Sequence, residues 1–256
     1  MLRALMQDLA VCLVFLSRLP VRLSDQTVAE RPIARAMRAF PVAGAILGSL
    51  GGMAYALAAW AGLPSLACAG IALGTIAWAT GAFHEDALAD VADGLGGGQT
   101  KSQKLEIMVD SRVGTFATVA LVLTLLIKAS VLAGIGEAGG GWGVIACLIA
   151  SGAWSRALIL PVKRYLPPAK DIGASHDAGR PSRQTMLEAL GAGALIAVIA
   201  AGPGTFLAAG VAAAGGTALI ARMGKRQLAG HTGDLLGASQ QAAELAFLAV
   251  ALIVAA

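Results

Sequence analysis

The chain has 256 residues, of which 57% are hydrophobic and only 13% charged, and its net charge is +4. A soluble globular domain carries about 25% charged residues, so the composition excludes that class and predicts an all-α polytopic membrane protein. The basic residues form no stripe interleaved with aromatics, so no nucleic-acid partner is expected and the bilayer is the expected partner.

In chain order, Met1 to Leu19 superficially resembles a signal peptide, with Arg3 ahead of an apolar run. Gln7 and Asp8 interrupt that run, and no small-residue cleavage site comes before Arg18-Leu19-Pro20. A retained interfacial or re-entrant N-terminal helix is therefore expected. Seven apolar segments then approach spanning length, at about 40–62, 64–83, 113–136, 142–162, 185–202, 203–221 and 237–256. Thirty-three glycines and few aromatics suit helices packed closely through small residues. Cys12, Cys68 and Cys147 lie in apolar stretches without CxxC spacing and read as small buried hydrophobes.

The turns at Gly62-Leu63-Pro64, Glu137 to Gly141 and Gly202-Pro203-Gly204 carry no Lys or Arg. The alternate connections are basic. Arg18, Arg22, Arg31, Arg35 and Arg38 precede the first strong span; Lys101, Lys104 and Arg112 follow the second. Lys163, Arg164, Lys170, Arg180 and Arg183 follow the fourth, and Arg222, Lys225 and Arg226 the sixth. The positive-inside rule then places the N-terminal region and the basic loops in the cytoplasm and the C-terminus outside. No internal repeat or linker divides the chain, so residues 1–256 read as a single integral membrane domain.

The run Phe83-His84-Glu85-Asp86-Ala87-Leu88-Ala89-Asp90-Val91-Ala92-Asp93-Gly94 directly follows the second apolar segment. Asp86, Asp90 and Asp93 recur at i, i+4 and i+7, within roughly a 60° arc of one helix face. Three carboxylates so close repel one another unless a cation sits between them, and hard oxygen ligands favour Mg²⁺ or Mn²⁺. A solvated helix end is the alternative reading. Glu106 and Asp110 share a second face at i, i+4, with Arg112 and Gly114 beyond them, and these residues suit a metal–phosphate site or a juxtamembrane anchor. Gly230-His231-Thr232-Gly233-Asp234 can bring backbone N–H groups close to an anion, although it is not a Walker A sequence. Lys128, Arg156 and Glu244 are costly inside apolar segments and read as pairing partners or substrate contacts. This inventory fits phosphoryl transfer, whose catalysis is mainly positioning and charge neutralisation.

The chain resembles the adenosylcobinamide-GDP ribazoletransferases, also called cobalamin (5′-phosphate) synthases, over nearly its whole length. Phe15-Leu16-Ser17-Arg18-Leu19-Pro20-Val21, Phe40-Pro41-Val42-Ala43-Gly44 and the Asp run carry the resemblance, with Leu105 to Thr115 and Thr232-Gly233-Asp234-Leu235-Leu236-Gly237-Ala238. Ala87, Val109, Phe116, Ala229 and Gln241 depart from the family pattern, and none of them removes a carboxylate from the Asp run. The resemblance implies transfer from adenosylcobinamide-GDP to α-ribazole, or to its 5′-phosphate, with Mg²⁺ and release of GMP. It implies metal binding by Asp86, Asp90 and Asp93, charge neutralisation by Arg112, and Asp110 or His84 as the general base. Arg18, Thr115, Thr232, Gly233 and Asp234 are implied substrate contacts, beside Arg156 and Glu244. The expected location is the bacterial cytoplasmic (inner) membrane with the site facing the cytoplasm, and an oligomer is left open. Two other readings are a CDP-alcohol phosphotransferase-like enzyme, whose Asp-x-x-Asp-Gly-x-x-Ala-Arg arrangement is missing, and a transporter lined by Lys128, Arg156 and Glu244.

Overall fold

A computed structural model describes residues 2–24, 31–170 and 173–255. Helix α1 covers Leu2–Leu16, and α2 (Ile33–Ala36) runs through a 3₁₀ turn at Met37–Ala39 into α3 (Phe40–Trp60). There follow α4 (Ser65–Thr80), α5 (Phe83–Gly97), α6 (Lys101–Ile107), α7 (Thr115–Tyr165), α8 (Ala174–Asp177), α9 (Arg183–Ala201), α10 (Pro203–Gln227) and α11 (Gly233–Ala255). Among the described residues the one extended pairing is an isolated bridge between Pro168 and His231.

The 51 residues of α7 would form a straight rod about 76 Å long, far beyond the roughly 30 Å hydrocarbon core of a bilayer. Gly140 breaks the rod with φ 63° and ψ −168°, a conformation open to glycine. The chain doubles back there. Leu132 and Ile135 before the break share a core with Val144 and Leu148 after it. The break lies within the turn expected at Glu137 to Gly141. By length and composition, five helices can cross a membrane, or six if the bent pair α4–α5 counts as one crossing. The expected count of seven is reached only by dividing α7 into its two arms.

Small residues set the closest helix contact. Gly44, Gly48 and Gly52 recur every four residues along one ridge of α3, and their backbone lies against Gly152, Leu148 and Ile145 of α7. A Cβ at Gly48 would overlap the Leu148 carbonyl. In a bilayer, where apolar burial gives no drive between helices, such close backbone approach supplies the van der Waals attraction.

Helix α1 is about 22 Å long, too short to cross. Asp8, Cys12 and Leu16 bury one face of it against α2 and α3, while Leu5, Met6, Val14 and Phe15 stay exposed. Asp8 is anchored by Arg38, whose Nε donates to Oδ2 at 2.7 Å, and by Arg31 at 3.6 Å. This is the geometry of the interfacial helix rather than of a span.

The basic connections meet at one end of the bundle. Arg38 reaches Glu188, Lys104 donates to Gln227, Lys170 to the Leu105 carbonyl and Arg164 to the Pro181 carbonyl. At the α3–α4 turn and the α7 tip, exposed Trp60 and Trp142 line one groove with Gly141, as interfacial tryptophans do.

Gly48→Leu is expected to lower stability by about 3 kcal/mol, read as a fall in the melting temperature of the detergent-purified protein. Gly70→Leu, where nothing lies within 4 Å of an added Cβ, is expected to leave melting unchanged.

Candidate active site

The site begins at a turn between α4 and α5. Gly81 (φ 66°) and Ala82 (φ 57°) are both left-handed, and together they bend the chain by 90°. For Ala82 that conformation costs about 1–2 kcal/mol. A Cβ at Gly81 would strike the Arg18 side chain, and the Arg18 N–H donates to the Ala79 carbonyl at 2.8 Å. Arg18, an expected substrate contact, thus packs on this turn. Beyond it, α5 buries His84, Ala87, Val91 and Gly94. Gly237 of α11 leaves room for Ala87, since a Cβ there would lie 2.5 Å from the Ala87 Cβ.

The three expected metal carboxylates divide into two roles. Asp93 accepts the N–H of Gly114 at 2.6 Å and of Ala117 at 2.9 Å, so it caps α7 from 21 residues away. Gly114 is needed for that contact, because a Cβ would lie 2.7 Å from the carboxylate. Asp86 and Asp90, by contrast, have no hydrogen-bond or ion-pair partner among the described residues. Asp90 lies in the negative field of Asp234, Asp86 and Asp93. Among the described residues no three His, Cys, Asp or Glu side chains converge on a point that could hold a metal ion. Mg²⁺ commonly takes only one or two protein carboxylates and completes its shell with substrate phosphate and water, and Asp86 and Asp90 fit that pattern.

Asp234 belongs to the first turn of α11, where Thr232 Oγ1 caps the helix by accepting the Leu235 N–H at 3.1 Å. Gly233 is exposed between them. Ala229, where the family pattern has glycine, is left-handed at φ 56°, which accounts for that preference. Arg112 grips Asp110 with Nε at 3.0 Å and Nη2 at 2.5 Å, and Thr115 follows at the start of α7. This exposed pair holds the Asp110 carboxyl down at about 2 through its hydrogen bonds to Arg112.

Arg156 and Glu244 lie deeper, in a polar network. Lys128 Nζ donates to Glu244 Oε2 at 2.5 Å and to Gln241 Oε1 at 2.7 Å, and Gln241 Nε2 donates to Glu85 Oε1 at 3.1 Å. Arg156 acts on both Glu244 and Glu85. Lys128, Arg156 and Glu244 are 2%, 3% and 7% exposed, so they serve one another rather than solvent. Gln241 is one of the departures from the family pattern, and here it links α7 and α11 to α5. His84 sits above this network and lines a cavity with Phe15, Phe83, Asp86, Lys163 and Asp234.

A model of the family described as cobalamin-5-phosphate synthase matches residues 8–252. The chain belongs to this family. Similar curated proteins are named adenosylcobinamide-GDP ribazoletransferase. That of Bradyrhizobium diazoefficiens is 40% identical over 250 residues, covering 98% of this chain and 95% of the relative. That of Brucella ovis is 42% identical over 254 residues, covering 95% of each. The Azorhizobium caulinodans relative is 39% identical over 258 residues, covering 98% of this chain and 97% of its own. No solved structure matches the chain. As a member of the cobalamin-5-phosphate synthase family, the chain is a transferase of cobalamin biosynthesis, built on membrane helices.

The structure of this family member also gathers residues that sequence reasoning passed over. Lys163 Nζ donates to the Ser175 carbonyl at 2.5 Å and to its hydroxyl at 3.2 Å, and Ser175 Oγ lies 3.3 Å from His231 Nδ1. Burial and the charge of Lys163 pull His231 down to about 4, so it is neutral at neutral pH. Lys163 was visible only as a loop charge, and His231 only as part of a glycine turn; 68 residues separate them, and no local pattern links them.

Asp93→Asn is expected to cost about 1–2 kcal/mol through the lost cap, lowering the melting temperature. Asp86→Asn removes a like charge and is expected to leave melting unchanged or to raise it.

Proposed function

We propose that the chain transfers the phosphocobinamide group of adenosylcobinamide-GDP to α-ribazole, or to its 5′-phosphate, with release of GMP. The name of the curated relatives, adenosylcobinamide-GDP ribazoletransferase, supports this choice of donor and acceptor. The observation that carries the reading is the pair of unpartnered carboxylates, Asp86 and Asp90, set against Asp234 in the first turn of α11. Their mutual repulsion suits a site whose ligand arrives with a cation. Convergence of the basic loops at this end supports a cytoplasm-facing site in the bacterial inner membrane.

In this mechanism a ribose hydroxyl of the acceptor attacks the phosphorus nearer cobinamide. A new O–P bond forms, the P–O bond to the nucleotide breaks, and GMP leaves with the electron pair. Asp86 and Asp90 would hold Mg²⁺, which when bound supplies charge neutralisation on the diphosphate, and Asp234 adds negative charge nearby. The first turn of α11 adds the positive end of its dipole, a natural place for a phosphate. Arg112, fixed by Asp110, keeps Nη1 for an anionic oxygen. Of the two candidate bases, Asp110 is locked to Arg112 at the surface, whereas His84 lines the cavity beside Asp86, so His84 is the one placed to take the hydroxyl proton. The transport reading loses support because Lys128 and Glu244 pair with each other.

Purified protein given adenosylcobinamide-GDP, α-ribazole and Mg²⁺ is expected to release GMP and form a base-on corrinoid. Asp86→Asn and Asp90→Asn are each expected to lower kcat about 100-fold or more, and chelation of the divalent ion to stop turnover. No GMP from the wild-type protein would overturn the reading.

A further inference from the structure

The cavity beside the carboxylates has a lining that charge neutralisation does not explain. One wall is aromatic. Phe15 stacks on Phe40 with centroids 6.1 Å apart, and meets Phe83 edge-on at 5.7 Å. Phe83 lies edge-on to His84 at 5.2 Å. The other rim is polar and carries Asp86, Lys163, Ser175 and Asp234. Between the two, His84 is 2% exposed and its Nε2 has no hydrogen-bond partner. Of the eight such buried atoms among the described residues, it is the one on a side chain that lines this cavity, and a buried polar atom calls for a partner.

We propose that this cavity is the acceptor's site and takes a flat, mainly apolar nitrogen heteroaromatic, the base of the acceptor nucleoside. The inference rests on the transferase reading above and adds where the second substrate sits. The base lies against Phe15 and Phe83 with His84 beneath it, and the sugar hydroxyls point to the rim, where Asp86 stands. The nucleophile is thereby delivered beside both the base and the carboxylates. Size supports this occupant. The cavity holds about 160 Å³, close to the roughly 150 Å³ of apolar cavities that take a single aromatic ring. A whole nucleoside needs about 300 Å³ or more, so its sugar lies outside the cavity, at the rim. An acyl chain would fill the aromatic wall but would leave His84 unpaired and the polar rim unused. Phe15 comes from α1, which gives the interfacial helix a part in the site.

The test is calorimetric titration of α-ribazole into the detergent-purified full chain without donor. Phe15→Ala and Phe83→Ala replace partly exposed side chains, so melting is expected to hold. Each is expected to weaken α-ribazole binding about tenfold or more, while Phe15→Trp keeps it and affinity for adenosylcobinamide-GDP stays unchanged. No binding by the wild type, or an α-ribazole affinity in both Ala variants equal to that of the wild type, overturns the proposal. So does a co-purified phospholipid chain that α-ribazole fails to displace. Phe-dependent binding without GMP release would overturn the transferase reading and leave the cavity assignment standing; turnover with Phe-independent affinity would do the reverse.

Discussion

Lys128 Nζ lies 2.5 Å from Glu244 Oε2 inside an apolar bundle, ten residues or about 15 Å along α11 from Asp234. Charges at that depth are costly unless they are paired, and the pairing also fixes geometry. Lys128 is on the first arm of the α7 hairpin and Arg156 on the second, yet both act on Glu244. In a straight helix they would be about 42 Å apart. Gln241 extends the network to Glu85, on the helix that carries Asp86 and Asp90. The ion pair therefore ties the first arm of α7 to α11, the charge of Arg156 brings the second arm to the same carboxylate, and Gln241 holds α5 across them.

Above this network the electrostatics are deliberately unbalanced. The 90° bend at Gly81–Ala82 turns α5 out of the direction of α4, so its carboxylate face meets the N-terminus of α11. Asp93 satisfies the N-terminus of α7 and leaves the group that can attract a cation. Asp86, Asp90 and Asp234 then concentrate negative charge beside the Lys170 ammonium, the α11 dipole and the loops rich in Lys and Arg. A metal-bound diphosphate suits such a mixture better than a bare anion or a bare cation would.

Much of this was legible in the sequence, because helical period and apolar length are local properties. The Asp spacing, the basic loops on alternate connections, the turn near Gly140 and the short N-terminal helix all follow from residues close in the chain. Lys128, Arg156 and Glu244 stood out because charge is rare in apolar segments. The division of labour within the Asp run was not legible. Asp93 and its partners Gly114 and Ala117 belong to different helices, and only tertiary placement tells a cap from an open carboxylate. For the same reason nothing linked Lys163, Ser175 and His231 to one another, or Phe15 to Phe83 in their shared cavity. The bend of α5 rests on a left-handed Ala82, a residue whose propensity argues against that conformation.

The Lys128–Glu244 pair holds the bundle in the arrangement that presents the site. A double-mutant cycle with Lys128→Met and Glu244→Met, read as unfolding free energy in detergent, tests it most directly. Each single change strands a buried charge and is predicted to cost about 3–5 kcal/mol, while the double change recovers a large part of that loss, giving a coupling of about 2 kcal/mol or more. Additive losses, with no coupling between the two positions, would contradict the account.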